Sequence, residues 1–458
     1  MSDDKIPLIL PIETQVRELH GKLLLACVAA ERGHDVYIGA QNEIRSRIST
    51  IPPGAYVAKG FASNKARFLT ILHRLGFTVL AWDEEGLVHY PPKMYYQRRM
   101  SAGSLALIDG LFSWGSDYTA LVRGAPFRPE IPIFEVGNPR LDLLRADVRK
   151  FYDDEVSALR RRFGRYILLN SNFGHQNSLV PRKRDEFGTV NPDDPEAERE
   201  WQAQLQFRTD LLKHFRTMVS RVASSFPDMT VVLRPHPAEK IETWREMESA
   251  HPNLKVLFEG SVLPWLAGAE VLIHNGCTTA IESILLDRPA ISFEPISSDK
   301  YDRALPNSLS YRTHSIDDLL ALTRGFVSSP DRQIVTPDQR RALDYYVAST
   351  PDRLDSDKIV DILQEHAKAW RTARPSKVLH RVRGKLDAAL RAIRKYARRF
   401  RSHDIYSTWH QDKQFPPLEA DDINRLIARF AEVTGRFQFL DAREHSRNLF
   451  RIVNVPKA

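Results

Sequence analysis

Val231-Val232-Leu233 runs directly into Arg234-Pro235-His236-Pro237, and this junction decides the fold. About forty residues on, a second apolar run, Val271-Leu272-Ile273-His274, enters Asn275-Gly276-Cys277-Thr278-Thr279. A helix-like segment, Ala280 to Leu286, follows, and a third run, Ala290-Ile291-Ser292-Phe293, comes after Asp287-Arg288-Pro289. Short apolar runs alternating with helical spacing predict a parallel sheet with crossover helices. Ligands of such sheets bind at the carboxyl ends of the strands, where both polar turns fall. Those turns offer a cation, an imidazole, two hydroxyls and a helix start, the groups that hold a phosphate.

The same rhythm extends outward. Pro7–Pro11, Asp35–Gly39, Ala55–Gly60, Thr78–Trp82 and Ile133–Val136 read as strands of a first βα domain, with Glu13–Arg32 and Lys65–Leu75 as helices between them. Tyr166–Asn170 opens a second set, and Asn177–Glu200, polar with three prolines, reads as a long loop of lid type. Helices are expected over Glu200–Ser225, from Asp317 to Leu322 and over Ser356–Glu365. The expected class is α/β and GT-B-like: two facing Rossmann-like βα domains, residues 1–150 and 151–370. A basic helical region, 371–458, ends the chain.

With 458 residues, 42% of them hydrophobic, there is material for two cores. Two cysteines exclude a disulfide framework and fit a reducing compartment. Met1–Lys5 is polar and lacks the layout of a signal peptide, and no apolar stretch is long enough to span a bilayer, so a cytoplasmic location is expected. The formal charge of +8 is concentrated: Arg371–Arg401 holds twelve Lys or Arg against one acid, a net of +11, which leaves −3 for the rest. Within it, Val382, Leu386, Ala389, Leu390, Ile393, Ala397 and Phe400 recur at helical spacing, and the other face carries most of the charge. Lys377–Arg401 therefore suits an anionic membrane surface, with a helix packed on the protein as the alternative. Nucleic acid is not expected, because aromatic interleaving is sparse. A further helix, Ala420–Gly435, carries Ile423, Leu426, Ile427, Phe430 and Val433 on one face.

Several residues carry the candidate chemistry. Arg234 and His236, two apart, would share one strand face and meet an anionic oxygen, whereas a lone turn histidine is satisfied locally. Thr278 and Thr279 precede a helix, where capping, with Glu282 closing a box, and phosphate binding are compatible roles. Gly276 permits close approach of a ligand beside Asn275, and Glu282 could instead bond ribose hydroxyls. In the first domain Asp83-Glu84-Glu85-Gly86 stands at a strand end. Three acids in a row repel, which raises a carboxyl pKa and suits a general base, against the plainer reading of a solvated turn. Glu13, Lys59, Asn172 and Arg140 are placed at the same cleft rims. No metal and no cofactor are expected.

An acid–acid–Gly motif, a His-Pro motif and a downstream hydroxyl pair together resemble bacterial sialyltransferases and related CMP-sugar transferases of the GT-B fold. That resemblance implies Glu84 as base, or Asp83, since three acids make the register ambiguous; a retaining enzyme would ask Glu85 or Asp83 to serve as nucleophile. It implies His236 as a contact to CMP, with Thr278 and Thr279 on the phosphate. More broadly, Asp83–Leu87, Gly137–Asp142, Leu169–Phe173, Arg234–Pro237 and Asn275–Pro289 resemble bacterial surface carbohydrate biosynthesis proteins. Gly137-Asn138-Pro139-Arg140 with the Thr pair is also similar to CDP-glycerol glycerophosphotransferases of teichoic acid synthesis. Thr-Thr stands where a Ser-bearing pair is more usual, and Arg-Pro precedes His-Pro. The implied activity is transfer of a nonulosonic acid, a sialic acid relative or Kdo, from a CMP donor to a glycan or lipid-linked glycan in surface polysaccharide or lipopolysaccharide synthesis. The alternatives are glycerophosphotransfer, epimerisation of a nucleotide sugar, and a non-catalytic scaffold at the membrane.

Overall fold

Each apolar run between polar turns becomes a strand. In the computed structural model, which describes residues 5–89, 91–127, 130–174, 176–178, 195–329, 335–373, 378–398 and 408–455, the chain forms two compact units. One is Met1–Phe151 with Asp344–Ala458; the other is Tyr152–Leu343.

The first unit is built on β1 (Leu8–Ile12), β2 (Val36–Ala40), β3 (Ala55–Ala58), β4 (Thr78–Ala81), β5 (Gly110–Ser113) and β6 (Ile133–Glu135), all parallel. The strands from β1 to β5 are buried along their whole length, which is why they read as continuous apolar runs. Helix Gln15–Glu31 covers them and buries Leu23 to Ala30 without interruption. Gly21 lets it approach Pro139 and Arg140, because a Cβ there would lie 3.0 Å from the Arg140 backbone.

The chain's last hundred residues join this unit. β13 (Leu440–Ser446) and β14 (Leu449–Asn454) form an antiparallel hairpin, and β14 pairs antiparallel with β2, giving the order β13-β14-β2-β1-β3-β4-β5-β6. Its two-residue turn uses Asn448 at φ 57°, a conformation asparagine tolerates. Gly39 is required opposite: a Cβ there would come within 2.2 Å of the Asn448 carbonyl. Helix Ala420–Thr434 docks as its apolar spacing predicts, with Phe430 stacked 4.2 Å from Phe151. Where the sequence reading sets 371–458 apart as one region, its hairpin Leu440–Asn454 extends the first sheet. A period-2 pattern announces a strand but not the sheet it joins.

The motif Gly137–Asp142 anchors this return. Asp142 accepts the backbone N–H of Asp355 at 2.7 Å, that of Ser356 at 2.9 Å and the Ser356 hydroxyl at 2.7 Å, capping helix Asp355–Ala373. Asp355 in turn accepts the Asn138 N–H at 2.8 Å. Gly137, at φ 78°, leaves room for that carboxylate, which a Cβ would meet at 2.1 Å. Burial and the neighbouring Asp355 push the Asp142 carboxyl up to about 7.

The second unit holds β7 (Tyr166–Asn170), β8 (Thr230–Arg234), β9 (Leu254–Val256), β10 (Val271–His274), β11 (Ala290–Phe293) and β12 (Tyr311–Thr313), all parallel in the order β12-β11-β10-β7-β8-β9. The chain runs from β7 to β8 and β9 on one side, then crosses to β10, β11 and β12 on the other. The topological switch point therefore lies between β7 and β10. One face of the sheet packs under helix Pro195–Ser225 through Phe215, Met218 and Val222, with Trp244 and Phe173. That helix begins at Pro195, so the end of the expected loop is helical; proline at a first turn gives up no hydrogen bond. Residues 179–194, where the lid reading falls, lie outside the described residues. Among the described residues, no helix is long and apolar enough to cross a membrane.

Candidate functional site

Two sets of polar groups gather at strand ends, one in each unit. In the first unit the carboxyl ends of β1, β3 and β4 carry an ion-pair network. Lys59 sits 2.8 Å from Glu13 and 2.6 Å from Glu18. Lys22 sits 2.8 Å from Glu18, 2.9 Å from Glu84 and 2.8 Å from the Pro11 carbonyl. Glu18 also accepts the backbone N–H groups of Glu13 and Thr14, closing the start of helix Gln15–Glu31 that Thr14 leaves uncapped. Burial pushes the Glu18 carboxyl up, but Lys22 and Lys59 outweigh it and hold the group well below the usual carboxylate range. Lys59 pulls the Glu13 carboxyl down despite burial.

The three consecutive acids do not face one another. Asp83 is buried and bonds to Arg99, to the Tyr95 hydroxyl at 2.7 Å and to the Glu85 N–H at 3.1 Å. Oε1 of Glu84 accepts from Lys22 and from the Trp82 indole, each at 2.9 Å. Glu85, its side chain 45% exposed, pairs with Arg17 at 2.9 Å. The mutual repulsion expected from the sequence is thus replaced by one cation per carboxylate. Lys65, on the same rim, was not singled out from the sequence; burial, then Arg45, pushes its ammonium down to about 8. Arg140 lies in the Asn138-capped turn, its N–H 3.0 Å from the Asn138 side chain, beside helix Gln15–Glu31.

In the second unit the strand register lines up Arg234, Asn170, His274 and Ser292 across the carboxyl edge of the sheet. Arg234 and His236 diverge there, contrary to the expected shared face. The Arg234 guanidinium donates to the carbonyls of Glu259 at 2.7 Å and Gly260 at 3.1 Å. It lies 4.8 Å from the Trp265 ring centroid and 5.6 Å from that of Phe258. Burial pushes it down to about 10. Prolines 235 and 237 turn the backbone after the strand, so period-2 geometry stops at Arg234. His236 is half-buried, and its Nδ1 accepts the Ala238 N–H at 3.1 Å, which leaves the proton on Nε2. Glu239 staples this turn to the end of β7: it accepts Ser171 Oγ at 2.9 Å, Phe173 N–H at 2.8 Å, His236 N–H at 3.2 Å and the Trp244 indole at 2.8 Å. Burial raises its carboxyl above the ordinary value.

The Asn275–Thr279 turn is organised by His274. Its Nδ1 accepts the N–H of Gly276 at 3.0 Å and of Cys277 at 3.4 Å, so these two amides are not offered to an anion. Nε2 then carries the proton and donates to Ser310 Oγ at 2.8 Å, and that hydroxyl donates in turn to the Pro306 carbonyl at 2.7 Å. Burial depresses this imidazole to about 3, keeping it neutral. Thr278 adopts helical backbone angles and makes no capping bond, so the expected capping box with Glu282 is not formed; Glu282 is buried. Thr279 Oγ1 accepts from Asn170 Nδ2 at 3.0 Å, and Asn172 Nδ2 donates to the Gly276 carbonyl at 3.3 Å. Gly276 takes φ 79°, and a Cβ there would meet Arg303 Cβ at 3.1 Å and Asn307 Oδ1 at 3.5 Å.

Around this turn polar atoms lack partners. Both side-chain polar atoms of Asn275, Oδ1 of Asn170 and Oδ1 of Asn307 are buried without a hydrogen-bond partner, in residues only 4–5% exposed. Leaving a buried amide unmatched costs roughly 1–3 kcal/mol per group, so a cluster of them marks a place prepared for a ligand. Sequence reasoning picked Asn275 but missed Asn170, His274, Glu239, Arg303 and Asn307. Asn170 and His274 end their strands, and that position was the available signal; Arg303 and Asn307 arrive from a distant segment. Among the described residues no group of three or more His, Cys, Asp or Glu side chains is placed to hold a metal ion.

No family model matches the chain, and a comparison with curated proteins finds no match. Solved structures are similar at low identity. A wall teichoic acid polymerase TagF variant soaked with CDPG aligns over 81% of this chain and 91% of its own, at 12% identity and TM-score 0.48. The UDP-GlcNAc 2-epimerase of Methanocaldococcus jannaschii, in complex with UDP-GlcNAc and UDP, covers 79% and 99% at 14% identity and 0.48. Anabaena HepE, in complex with UDP and glucose, covers 79% and 99% at 10% identity and 0.42.

Proposed function

We propose that the chain is a glycosyltransferase of GT-B type that takes a sugar from a nucleotide-activated donor. The observation that carries this reading is the set of buried amide atoms without a partner, both of Asn275 and the Oδ1 atoms of Asn170 and Asn307, by the switch point of the second sheet. A crevice at the carboxyl ends of strands on either side of a switch point is where open α/β sheets bind nucleotides. Neutral amides fit hydroxyl and base edges, while His236, Thr278 and Arg303 on the neighbouring turns supply donors for phosphate oxygens.

In this reading the donor is CMP-linked, as the motif resemblance implies, and carries a nonulosonic acid. A base takes the proton of an acceptor hydroxyl, the role that the motif resemblance implies for Glu84. The acceptor oxygen bonds to the anomeric carbon as the carbon–oxygen bond to phosphate breaks, and CMP leaves with both bonding electrons. Hydrogen-bond donors meet the charge that develops on that phosphate. The acceptor is a glycan or lipid-linked glycan of surface polysaccharide synthesis, met at the inner face of the plasma membrane.

A calorimetric screen of cytidine, uridine, guanosine and adenosine mono- and diphosphates tests the donor class, because a ligand of the native state raises apparent stability by mass action. Selective stabilisation by CMP supports the reading; selective stabilisation by UDP overturns the CMP assignment. With CMP-sugar and acceptor, Glu84→Gln and His236→Ala should each slow transfer about a hundredfold or more. Near-normal transfer in both variants would overturn the assigned roles.

A further inference from the structure

The basic helix Val378–Arg398 does not dock through its apolar stripe. It lies against helices Gln41–Ser46 and Ala66–Leu75 through a face of small and polar residues. A Cβ at Gly384 would come 3.0 Å from Arg74 Cβ, so only glycine allows this approach; Ala388, one turn on, is buried. Arg74 pairs with Asp387, Arg391 stacks 4.8 Å over Phe68, and Lys395 donates to Asn42 at 3.1 Å. The large apolar side chains are left outside: Leu379, Val382, Leu386, Leu390 and Ile393 are 49–76% exposed.

At about 100° per residue, these five fall within a sector roughly 80° wide, facing nearly opposite the docked residues. Arg383 and Arg394 border the sector on one side, Arg381 and Lys385 on the other, and all four are exposed. The helix's single acid, Asp387, is held by Arg74 on the docked side. An apolar strip edged on both sides by cations, with the helix's own acid turned to the docked side, is complementary to the boundary between anionic headgroups and acyl chains. A second copy of the chain would bring the same cations face to face. A nucleic acid would meet an apolar centre, with Tyr396 the helix's one aromatic ring beside it.

We propose that Val378–Arg398 lies in the plane of an anionic membrane, with Leu386 and Ile393 inserted and Arg381, Arg383, Lys385 and Arg394 at the headgroups. This goes beyond the transferase reading and stands without it, since it needs neither donor nor acceptor.

The test is co-sedimentation of the full chain with phosphatidylcholine vesicles, with and without about 30 mol% phosphatidylglycerol, at low salt and at ~0.15 M salt. The expected result is at least tenfold stronger binding to the anionic vesicles, weakened by salt. The Leu386→Glu/Ile393→Glu double variant should bind at least tenfold less. Both positions are exposed, so its circular dichroism should match the parent. A tryptophan placed by Leu390→Trp should shift its emission to the blue on anionic vesicles alone. No binding to anionic vesicles at low salt overturns the proposal. So does binding indifferent to the double variant, and so does a concentration-dependent dimer, without vesicles, that Leu386→Glu disperses.

Discussion

The two sheets end in opposite kinds of chemistry. At the strand ends of the first unit, the charges satisfy one another: Glu13, Glu18, Glu84 and Glu85 share Arg17, Lys22 and Lys59. Around the Asn275 turn of the second, Asn170, Asn275 and Asn307 are neutral amides with polar atoms left unpartnered. Both are buried polar clusters, and a sequence displays both simply as polar residues after apolar runs. Their energetics differ. A paired network holds itself rigid and is harmed by removal of any one member. An unpaired set is held in place by the fold and is relieved by a ligand or by removal.

That contrast can be broken in order of effect. Lys22→Met should be the most damaging change, because it takes the ion-pair partner of Glu84 and one of the two lysines that hold Glu18. Losing one member of a buried pair costs on the order of 3–5 kcal/mol, read as a lower urea midpoint with unchanged slope. A loss below about 1 kcal/mol would mean that the network is solvated rather than buried.

Next come two titrations of opposite sign. His274 is depressed from 6.5 to about 3, so the unfolded chain binds its proton first. Its contribution is complete above the ordinary histidine range and is lost as pH falls through it toward 3. Asp142 is raised from 3.8 to about 7, so the folded chain binds its proton first, and its contribution is complete at low pH and lost as pH rises toward 7. Denaturation curves across that range should show His274→Gln flattening the acid limb and Asp142→Asn flattening the neutral limb. Each difference should amount to roughly 1 kcal/mol per pH unit, given about 1.4 kcal/mol per unit of pKa shift at most. Parallel curves for variant and parent would remove the group concerned from the pH dependence. The smallest effect on stability belongs to Asn275→Leu. Replacing an unmatched amide by an apolar group of similar shape should leave the urea midpoint within about 1 kcal/mol or raise it. A larger loss would show Asn275 to be a structural residue after all.

Much of this architecture was legible beforehand. The apolar runs of β1 to β4, β7, β8, β10 and β11 were found nearly at their limits, because strands buried on both faces leave an uninterrupted signal. The placement of Asn275–Thr279 at a strand end followed from the same signal. The partners of each site residue did not. Arg234 and His236 look like neighbours until Pro235 is given its conformation, and then one guanidinium goes to the Glu259 and Gly260 carbonyls while the imidazole stays on the turn. The Asp83–Glu85 run suggests repulsion only while Arg99, Lys22 and Arg17, distant in sequence, are out of view. The apolar face of Val378–Arg398 was visible, yet its spacing could not say which side docks; Gly384 and Ala388 carried that information as the absence of side-chain bulk. The return of β13 and β14 to the first sheet is a long-range pairing, marked locally only by the Arg447-Asn448 turn between two short alternating runs.

Titration of CMP into the parent protein and into Asn275→Ala and Asn307→Ala tests the central claim most directly, with melting temperature measured on the same samples. The account predicts binding by the parent, at least tenfold weaker binding by each variant, a difference of about 1.4 kcal/mol, and melting temperatures that stay with the parent's in the absence of nucleotide. Equal affinity in all three proteins would contradict it.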